Sequence, residues 1–271
     1  MASTRETLTP FDQATAIRAL SPGIFEGDVP DGWQQGRGAF GGLVFGLLAR
    51  AMESQVADPA RILRALSGDI AGPVLTGPVR IEVETFRKGN NQSNLQARLI
   101  QGGELLAAAT GVFSTARRAT VPAFQRTSSE RPAWEATDVV PVGPPFGPDF
   151  ARAYEYRSTG PMPFSSGKLA ETAGYIRERI PPPVRDAASM IGLLDAWWPT
   201  LFSLDETFRA VATISFTAEL MSDPRPLDPE ERLFYRSKMA SLADGFFVEL
   251  RELWRGEEIV GMNQQTFAVL K

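Results

Sequence analysis

The longest apolar stretch of the chain, residues 38–52, predicts a helix that is buried on most of its sides. The stretch is too long for a typical strand, and Arg50 is its only charged residue. Glycines open it, so another group can approach the free backbone N–H groups of the first helical turn. We expect the rest of the chain to be organised around this helix.

Four strand-like segments follow the helix, at residues 64–71, 79–88, 93–101 and 104–114. In the second segment, Val79, Ile81 and Val83 alternate with charged residues, which is the pattern of a strand with one solvated face. Turn sequences at residues 88–91 and 102–103 separate the segments. The pattern predicts an antiparallel meander that covers the helix.

Two elements are predicted before the helix. Residues 10–20 place Phe11, Ala14 and Ile17 at helical spacing, with Thr9 as a plausible cap. Residues 23–29 and 33–36 predict a short hairpin around a turn at residues 30–32.

The same order of elements returns in the second half. Strand segments at residues 154–156 and 174–179 precede a helix predicted over 186–198, with Asp186 as its cap and Pro199 as its stop. Four strand segments follow, at residues 209–220, 232–240, 246–254 and 259–270. The sequence therefore predicts two domains, residues 1–116 and 151–271, joined by a proline-rich linker over 117–150.

Composition restricts the available chemistry. The formal charge of −4 gives no basic footprint for nucleic acid or for an anionic membrane. The absence of cysteine and histidine excludes disulfides, thiolate nucleophiles, Ser-His-Asp triads and imidazole-bound zinc, and we predict no metal site. General acids and bases must come from carboxylates, lysine, tyrosine or ordered water. The first ten residues are polar and residues 38–52 are too few to cross a membrane, so we expect a cytoplasmic protein.

A series of short motifs runs through both halves. The motifs are Ala39-Phe40-Gly41-Gly42, Gly77-Pro78-Val79, residues 83–89, Gln101-Gly102-Gly103, residues 107–113, 193–196 and 212–220, Glu252-Leu253-Trp254 and Gln264. Their order resembles the double-hotdog proteins of the acyl-CoA thioesterase II family over nearly the whole chain. The resemblance implies an α+β fold, a tandem (double) hotdog in which each half is an antiparallel sheet wrapped around one long central helix.

The resemblance also implies a catalytic trio of an Asp, a Thr and a Gln that orient a water in the second hotdog. Gln264 matches the Gln, whereas Ser215 stands at the Asp position and Ala240 at the Thr position. Other hotdog thioesterases carry a carboxylate on a central helix, and Asp195 lies at that place. We therefore predict Asp195 as the base, with a pKa raised by burial, and an inward-facing Gln264 that holds the water.

Thioester hydrolysis also needs donors for the oxyanion, and the amides of Gly41 and Gly42 at the helix start are candidates. Ser215 and Thr217 share a strand face and are predicted to help polarise the carbonyl. Arg87 is a candidate for contact with coenzyme A phosphates.

The acyl chain is expected in an apolar tunnel near Phe40, Phe45, Trp197 and Trp198. The leading hypothesis is hydrolysis of a fatty or aromatic acyl-CoA to free acid and CoA, without any cofactor beyond the coenzyme A of the substrate, by a homo-oligomer. The first alternative is a non-catalytic acyl-CoA or acyl-carrier binding module, which the departures from the trio allow. A hydratase is disfavoured because that activity on this fold uses a histidine, and a purely structural protein is the remaining alternative.

Overall fold

The computed structural model describes residues 8–118, 120–121, 124, 126 and 130–270, so the N-terminal residues 1–7 and Pro122 of the predicted linker lie outside the described residues. The first half contains α1 (Phe11–Ala14), β1 (Ile17–Ser21), β2 (Ile24–Val29), β3 (Gln34–Gln35), β4 (Gly38–Ala39), α2 (Gly41–Val56), β5 (Ile62–Ile70), β6 (Gly77–Lys88), β7 (Gln92–Gln101) and β8 (Glu104–Ser114). The second half contains β9 (Tyr154–Ser158), β10 (Glu171–Glu178), α3 (Ala187–Asp195), α4 (Leu201–Leu204), β11 (Val211–Leu220), β12 (Leu233–Ala243), β13 (Phe246–Arg255) and β14 (Glu258–Val269). Short 3₁₀ helices at Trp134–Ala136 and Asp149–Ala153 precede β9.

Both halves contribute to one continuous antiparallel sheet. Its 12 strands run in the order β1-β2-β6-β7-β8-β5-β11-β14-β13-β12-β10-β9. The halves meet where β5 pairs with β11, with Ser67 opposite Thr217. The four predicted strands of each meander are confirmed, and Val79, Ile81 and Val83 face inward on β6 as their alternation indicates.

The two longer helices, α2 and α3, contact each other through small residues at the point where they cross. A β-carbon added to Gly42 of α2 would lie 3.1 Å from the Cα of Gly192 of α3, and one on Gly46 would lie 3.7 Å from the Cβ of Ala188. Glycine and alanine at the crossing bring the two backbones close together. This close crossing brings the start of α2 beside the end of α3.

The predictions before α2 were partly wrong. The first helix ends at Ala14, where the Thr15 hydroxyl donates to the Phe11 carbonyl at 2.8 Å, and the chain continues as the strand β1. Pro10 occupies the N-cap position, so Thr9 is not the cap. The predicted hairpin does not form either, because β2 pairs with β1 and β6 while β3 pairs with β4. Pairing with a distant strand overrides the local turn signal here.

The second helix begins as predicted but ends early. Asp186 accepts the Ser189 backbone N–H at 2.9 Å, which confirms the predicted cap. The helix covers nine residues and stops at Asp195, three residues before its predicted end. Arg251 of β13 donates to the carbonyls of Leu194 and Asp195, each at 3.2 Å, and so satisfies carbonyls that a longer helix would have bonded internally.

The chain between the halves packs on the second half. Two guanidinium groups contact the Trp134 ring, those of Arg157 at 5.3 Å and Arg232 at 4.0 Å from the ring centroid. The Tyr175 hydroxyl donates to the Pro132 carbonyl at 2.7 Å. Within the described residues, this connection is therefore attached to the sheet rather than free of it.

Among the helices of the described ranges, none is long and apolar enough to cross a membrane.

Candidate functional site

Asp195 is the last residue of α3, and its carboxylate lies against the start of α2. The side chain is buried, and the carboxylate accepts the backbone N–H of Gly42. A β-carbon added to Gly41 would lie only 2.8 Å from the Asp195 Oδ2. The partial positive charge of a helix N-terminus favours an anion at this position. The Gly42 amide, predicted to bind the oxyanion, thus has the carboxylate as its partner.

A glutamine from β14 holds the other side of this carboxylate, and it is Gln265. Its Nε2 donates to the Asp195 Oδ1 at 2.8 Å and to the Thr213 Oγ1 at 2.6 Å. Only the amide N–H₂ can donate to a carboxylate, so this orientation follows from the chemistry of the pair. Gln265 is fully buried, and it links the Asp195 carboxylate to the Thr213 hydroxyl.

The predicted orientation of Gln264 was wrong. Gln264 is exposed, and it pairs with Thr217 and Leu250 across the outer face of the sheet. Successive strand residues face opposite sides, so only one of the two adjacent glutamines can reach Asp195. The sequence did contain a signal, because Gln265 shares its face with the apolar Phe267.

The strand β11 presents Thr213 inward and the two predicted residues outward. Its register shifts between Thr213 and Ser215, which places an irregularity at Ile214. Ser215 and Thr217 do share a face, as predicted, but it is the face opposite the buried Phe216. Their predicted contact with the reacting carbonyl is therefore contradicted, and Thr213 occupies the inward position instead.

Arg251 and Glu249 complete a buried polar network that the sequence interpretation missed. The Arg251 Nη1 lies 3.4 Å from the Asp195 Oδ1, and its Nε lies 3.0 Å from the Glu249 Oε2. Glu249 also accepts from the Thr200 hydroxyl at 2.7 Å and from the Ser237 hydroxyl at 3.1 Å. Glu249 and Arg251 are two residues apart on β13, so strand alternation predicts that both side chains share one face with the buried Phe247 and Leu253.

Burial raises the pKa of Asp195 above the ordinary value for an aspartate. The positive charge of Arg251 and the hydrogen bonds from Gln265 and Gly42 oppose this effect, and the negative charge of Glu249 adds to it. A raised pKa makes the Asp195 carboxylate a better proton acceptor.

A cavity of about 60 Å³ lies next to this network. Its polar wall consists of Asp195, Thr213 and Arg251. Its remaining wall is mainly apolar and comes from three parts of the chain: Gln35 before α2, residues Val142, Pro148 and Phe150 of the connection, and residues Ala151, Ala196, Trp197, Trp198, Pro199, Phe202 and Phe267 of the second half. The connection thus forms part of the cavity wall, which its composition did not indicate.

The other predicted contacts lie elsewhere. Phe40 is buried as the N-cap of α2 and stacks on Phe150 at a centroid distance of 4.0 Å, while Phe45 stacks on Phe216 at 4.7 Å. Arg87 is exposed near the end of β6. Among the described residues, Phe40, Gly41, Gly42 and Arg87 do not contribute to the cavity wall, whereas Trp197 and Trp198 do.

A second, larger depression of about 170 Å³ shares no residue with this cavity. Its wall includes Glu82, Glu84 and Arg98 on the solvent side of β6 and β7. The cavity beside Asp195 is the better candidate because it combines a buried carboxylate with an apolar wall.

The arrangement supplies the groups for water attack on a carbonyl. Asp195 can accept a proton, and Gln265 positions it relative to Thr213. Because the Thr213 oxygen accepts from Gln265, its own O–H is left to donate to a ligand. Arg251 adds a cation to the same wall. Within the described ranges, no group of three or more Asp or Glu side chains could hold a metal ion.

Comparison with known proteins is consistent with this geometry. Residues 29–114 match the profile of the acyl-CoA thioesterase N-terminal domain, and residues 124–269 match that of the acyl-CoA thioesterase C-terminal domain. No curated protein matches the sequence with significance.

Solved structures show the same fold. A conserved protein of unknown function with a hot dog fold from Alicyclobacillus acidocaldarius superposes with a TM-score of 0.87 at 22% identity, covering 96% of this chain and 98% of that one. An acyl-CoA thioesterase II from Mycobacterium marinum superposes with a TM-score of 0.76 at 20% identity, covering 96% and 98%. At these identities the likeness establishes the hotdog fold alone.

Proposed function

Because the chain belongs to the acyl-CoA thioesterase family, we propose that it hydrolyses an acyl-CoA to the free acid and CoA by attack of water. The observation that carries the proposal is the buried Asp195, bonded to Gln265 and facing a cavity with an apolar wall. No cofactor is proposed beyond the coenzyme A of the substrate.

In the proposed reaction, the Asp195 carboxylate removes a proton from a water in the cavity as the water oxygen attacks the thioester carbon. The Thr213 hydroxyl and the Arg251 guanidinium stabilise the negative charge that develops on the carbonyl oxygen. The tetrahedral intermediate collapses with cleavage of the C–S bond, and the proton held by Asp195 passes to the departing thiolate. Gln265 is a positioning residue in this scheme.

We also propose that the fold is a tandem hotdog with units at residues 1–116 and 151–271, connected by residues 117–150. Supporting this division, α2 packs on β5, β6, β7 and β8, and α3 packs on β10, β11, β13 and β14. Assembly into a homo-oligomer stays a prediction.

The test is thiol release from a panel of short, long and aromatic acyl-CoA substrates. Wild-type turnover that falls at least about 100-fold in Asp195→Asn, a typical contribution of a general base, supports the mechanism. The matched control is Asp69→Asn, which changes an exposed aspartate on β5 and should leave turnover unchanged.

Two results contradict the proposal. Turnover that survives Asp195→Asn would keep the thioesterase activity but remove Asp195 from it. Binding of acyl-CoA without any turnover would favour the non-catalytic binding module.

A further inference from the structure

We propose that the site accepts short acyl groups of about two to four carbons rather than long fatty chains. The proposal is based on the volume of the cavity beside Asp195 and on the close packing of the aromatic residues in its wall. This inference rests on the proposed function, because it concerns the acyl group at that same site. It replaces the expectation of an apolar tunnel with a small cavity that packed aromatic rings line.

The first argument is volume. The cavity measures about 60 Å³. An apolar cavity of roughly 150 Å³ in a protein interior holds one benzene molecule, which has six carbons. On that scale, the space beside Asp195 accommodates about two or three non-hydrogen atoms, with the thioester carbonyl placed against the polar wall.

The second argument is that Trp197 cannot easily move aside. Its Nε1 donates to the Thr172 hydroxyl at 2.6 Å, and its ring stacks on Tyr235 at 4.9 Å with an interplanar angle of 10°. The ring is also buried to 2% exposure. A displaced Trp197 would lose a buried hydrogen bond and a stacked neighbour together.

The wall from the connection is held in a similar way. Phe150 stacks on Phe40 at 4.0 Å with an interplanar angle of 8°, and both rings are buried. A longer acyl chain directed into this wall would have to displace aromatic rings from a close-packed interior, where added volume is costly.

Trp198 is the residue that we infer to limit chain length. It lies against Trp197 at a centroid distance of 4.6 Å and forms part of the cavity wall. Its Nε1 is buried and has no hydrogen-bond partner among the described residues. Replacement of Trp198 therefore enlarges the cavity without breaking a hydrogen bond.

The experiment measures kcat/KM for straight-chain acyl-CoA substrates from acetyl to palmitoyl, with wild type and Trp198→Leu. We expect wild type to prefer the short substrates over octanoyl-CoA by at least about 10-fold, and Trp198→Leu to shift the optimum to longer chains. Phe202→Ala, which removes a half-buried ring of the same wall, serves as a second enlargement should Trp198→Leu fail to fold. Trp134→Leu changes a half-buried tryptophan outside the cavity and should leave the profile unchanged.

Binding of the matching non-hydrolysable acyl-CoA thioethers separates this inference from the proposed function. Absence of hydrolysis with tighter binding of short chains would overturn the thioesterase proposal and keep the chain-length inference. Efficient hydrolysis that peaks at long chains in wild type, or long thioethers binding at least about 10-fold more tightly than short ones, would overturn the inference. Failure of every thioether to bind would overturn both.

Discussion

The carboxylate of Asp195 lies 2.8 Å from the point that a β-carbon on Gly41 would occupy. Asp195 ends the helix of the second half, and Gly41 begins the helix of the first. The candidate base is therefore held in place by both halves of the chain, and its position depends on the absence of a side chain at residue 41.

Gly41→Ala is predicted to displace the carboxylate and to reduce kcat by about 10- to 100-fold, because misplacement of a catalytic group by about 1 Å can cost that much. The matched control is Gly46→Ala in the same helix, where the new methyl group would press on Thr15 at 3.1 Å and Phe11 at 3.2 Å instead. Both variants should lose about 1–3 kcal/mol of unfolding free energy through overpacking, measured by denaturant titration. Equal loss of activity in the two variants would contradict a specific role for the Gly41 contact.

The two adjacent glutamines provide a second test. Gln265→Ala removes both hydrogen bonds to Asp195 and Thr213 and should lower kcat by about 10-fold or more, while destabilising the fold by about 1–3 kcal/mol. Gln264→Ala changes an exposed side chain and should stay within about 0.5 kcal/mol of wild type with full activity. Steady-state kinetics and chemical denaturation measure both. Greater loss of activity in Gln264→Ala would restore the original assignment.

The acidic limb of the pH–rate profile should lie at a higher pH than an ordinary aspartate would give. Burial raises the pKa of Asp195, and only the deprotonated carboxylate accepts a proton from water, so kcat should fall as the pH drops through a value above the usual 3.8. Gln265→Ala should move this limb to still higher pH, because its hydrogen bond lowers the pKa of Asp195. A pH–rate profile without an acidic limb, or with a limb that Gln265→Ala leaves in place, would argue against Asp195 as the base.

The same pKa shift predicts that the contribution of Asp195 to the unfolding free energy increases at low pH, where kcat falls. Because the pKa of Asp195 is higher in the folded state than in the unfolded state, the folded state binds a proton more readily as the pH falls. The unfolding free energy of wild type should therefore increase relative to that of Asp195→Asn when the pH is lowered through the folded pKa. Urea titrations of the two proteins at several pH values measure this difference, and a constant difference would contradict the shift.

Phe40 is predicted to stabilise the fold rather than to bind substrate. It is fully buried and stacked on Phe150, so Phe40→Ala should cost about 3–5 kcal/mol of unfolding free energy. Phe86→Ala, which removes a ring that is 55% exposed on β6, should cost no more than about 0.5 kcal/mol. Denaturant midpoints measure both. A raised KM in Phe40→Ala without loss of stability would instead indicate direct substrate contact.

Local patterns in the sequence determined the four strands that follow each central helix, their order along the chain and much of the two longer helices. The alternation of Val79, Ile81 and Val83 set the inward face of β6, and the end of β8 at Ser114 agrees with the prediction. The cap at Asp186 could also be predicted from the sequence, because its hydrogen bond to the Ser189 N–H spans only three residues. Asp195 was recognisable as a carboxylate in an apolar stretch.

Tertiary structure decided which of these residues meet. The irregularity at Ile214 turns Thr213 inward, ordinary alternation with the buried Phe216 keeps Ser215 outward, and strand register selects Gln265 over Gln264. A shift of one residue reverses the face of a strand, and register depends on pairing between segments that are distant in sequence. The early end of α3 has the same origin, since the cation that caps it, Arg251, lies 56 residues further along the chain. Periodicity within a segment is encoded locally, whereas the assembly of a buried site depends on contacts that form only when distant segments pack together.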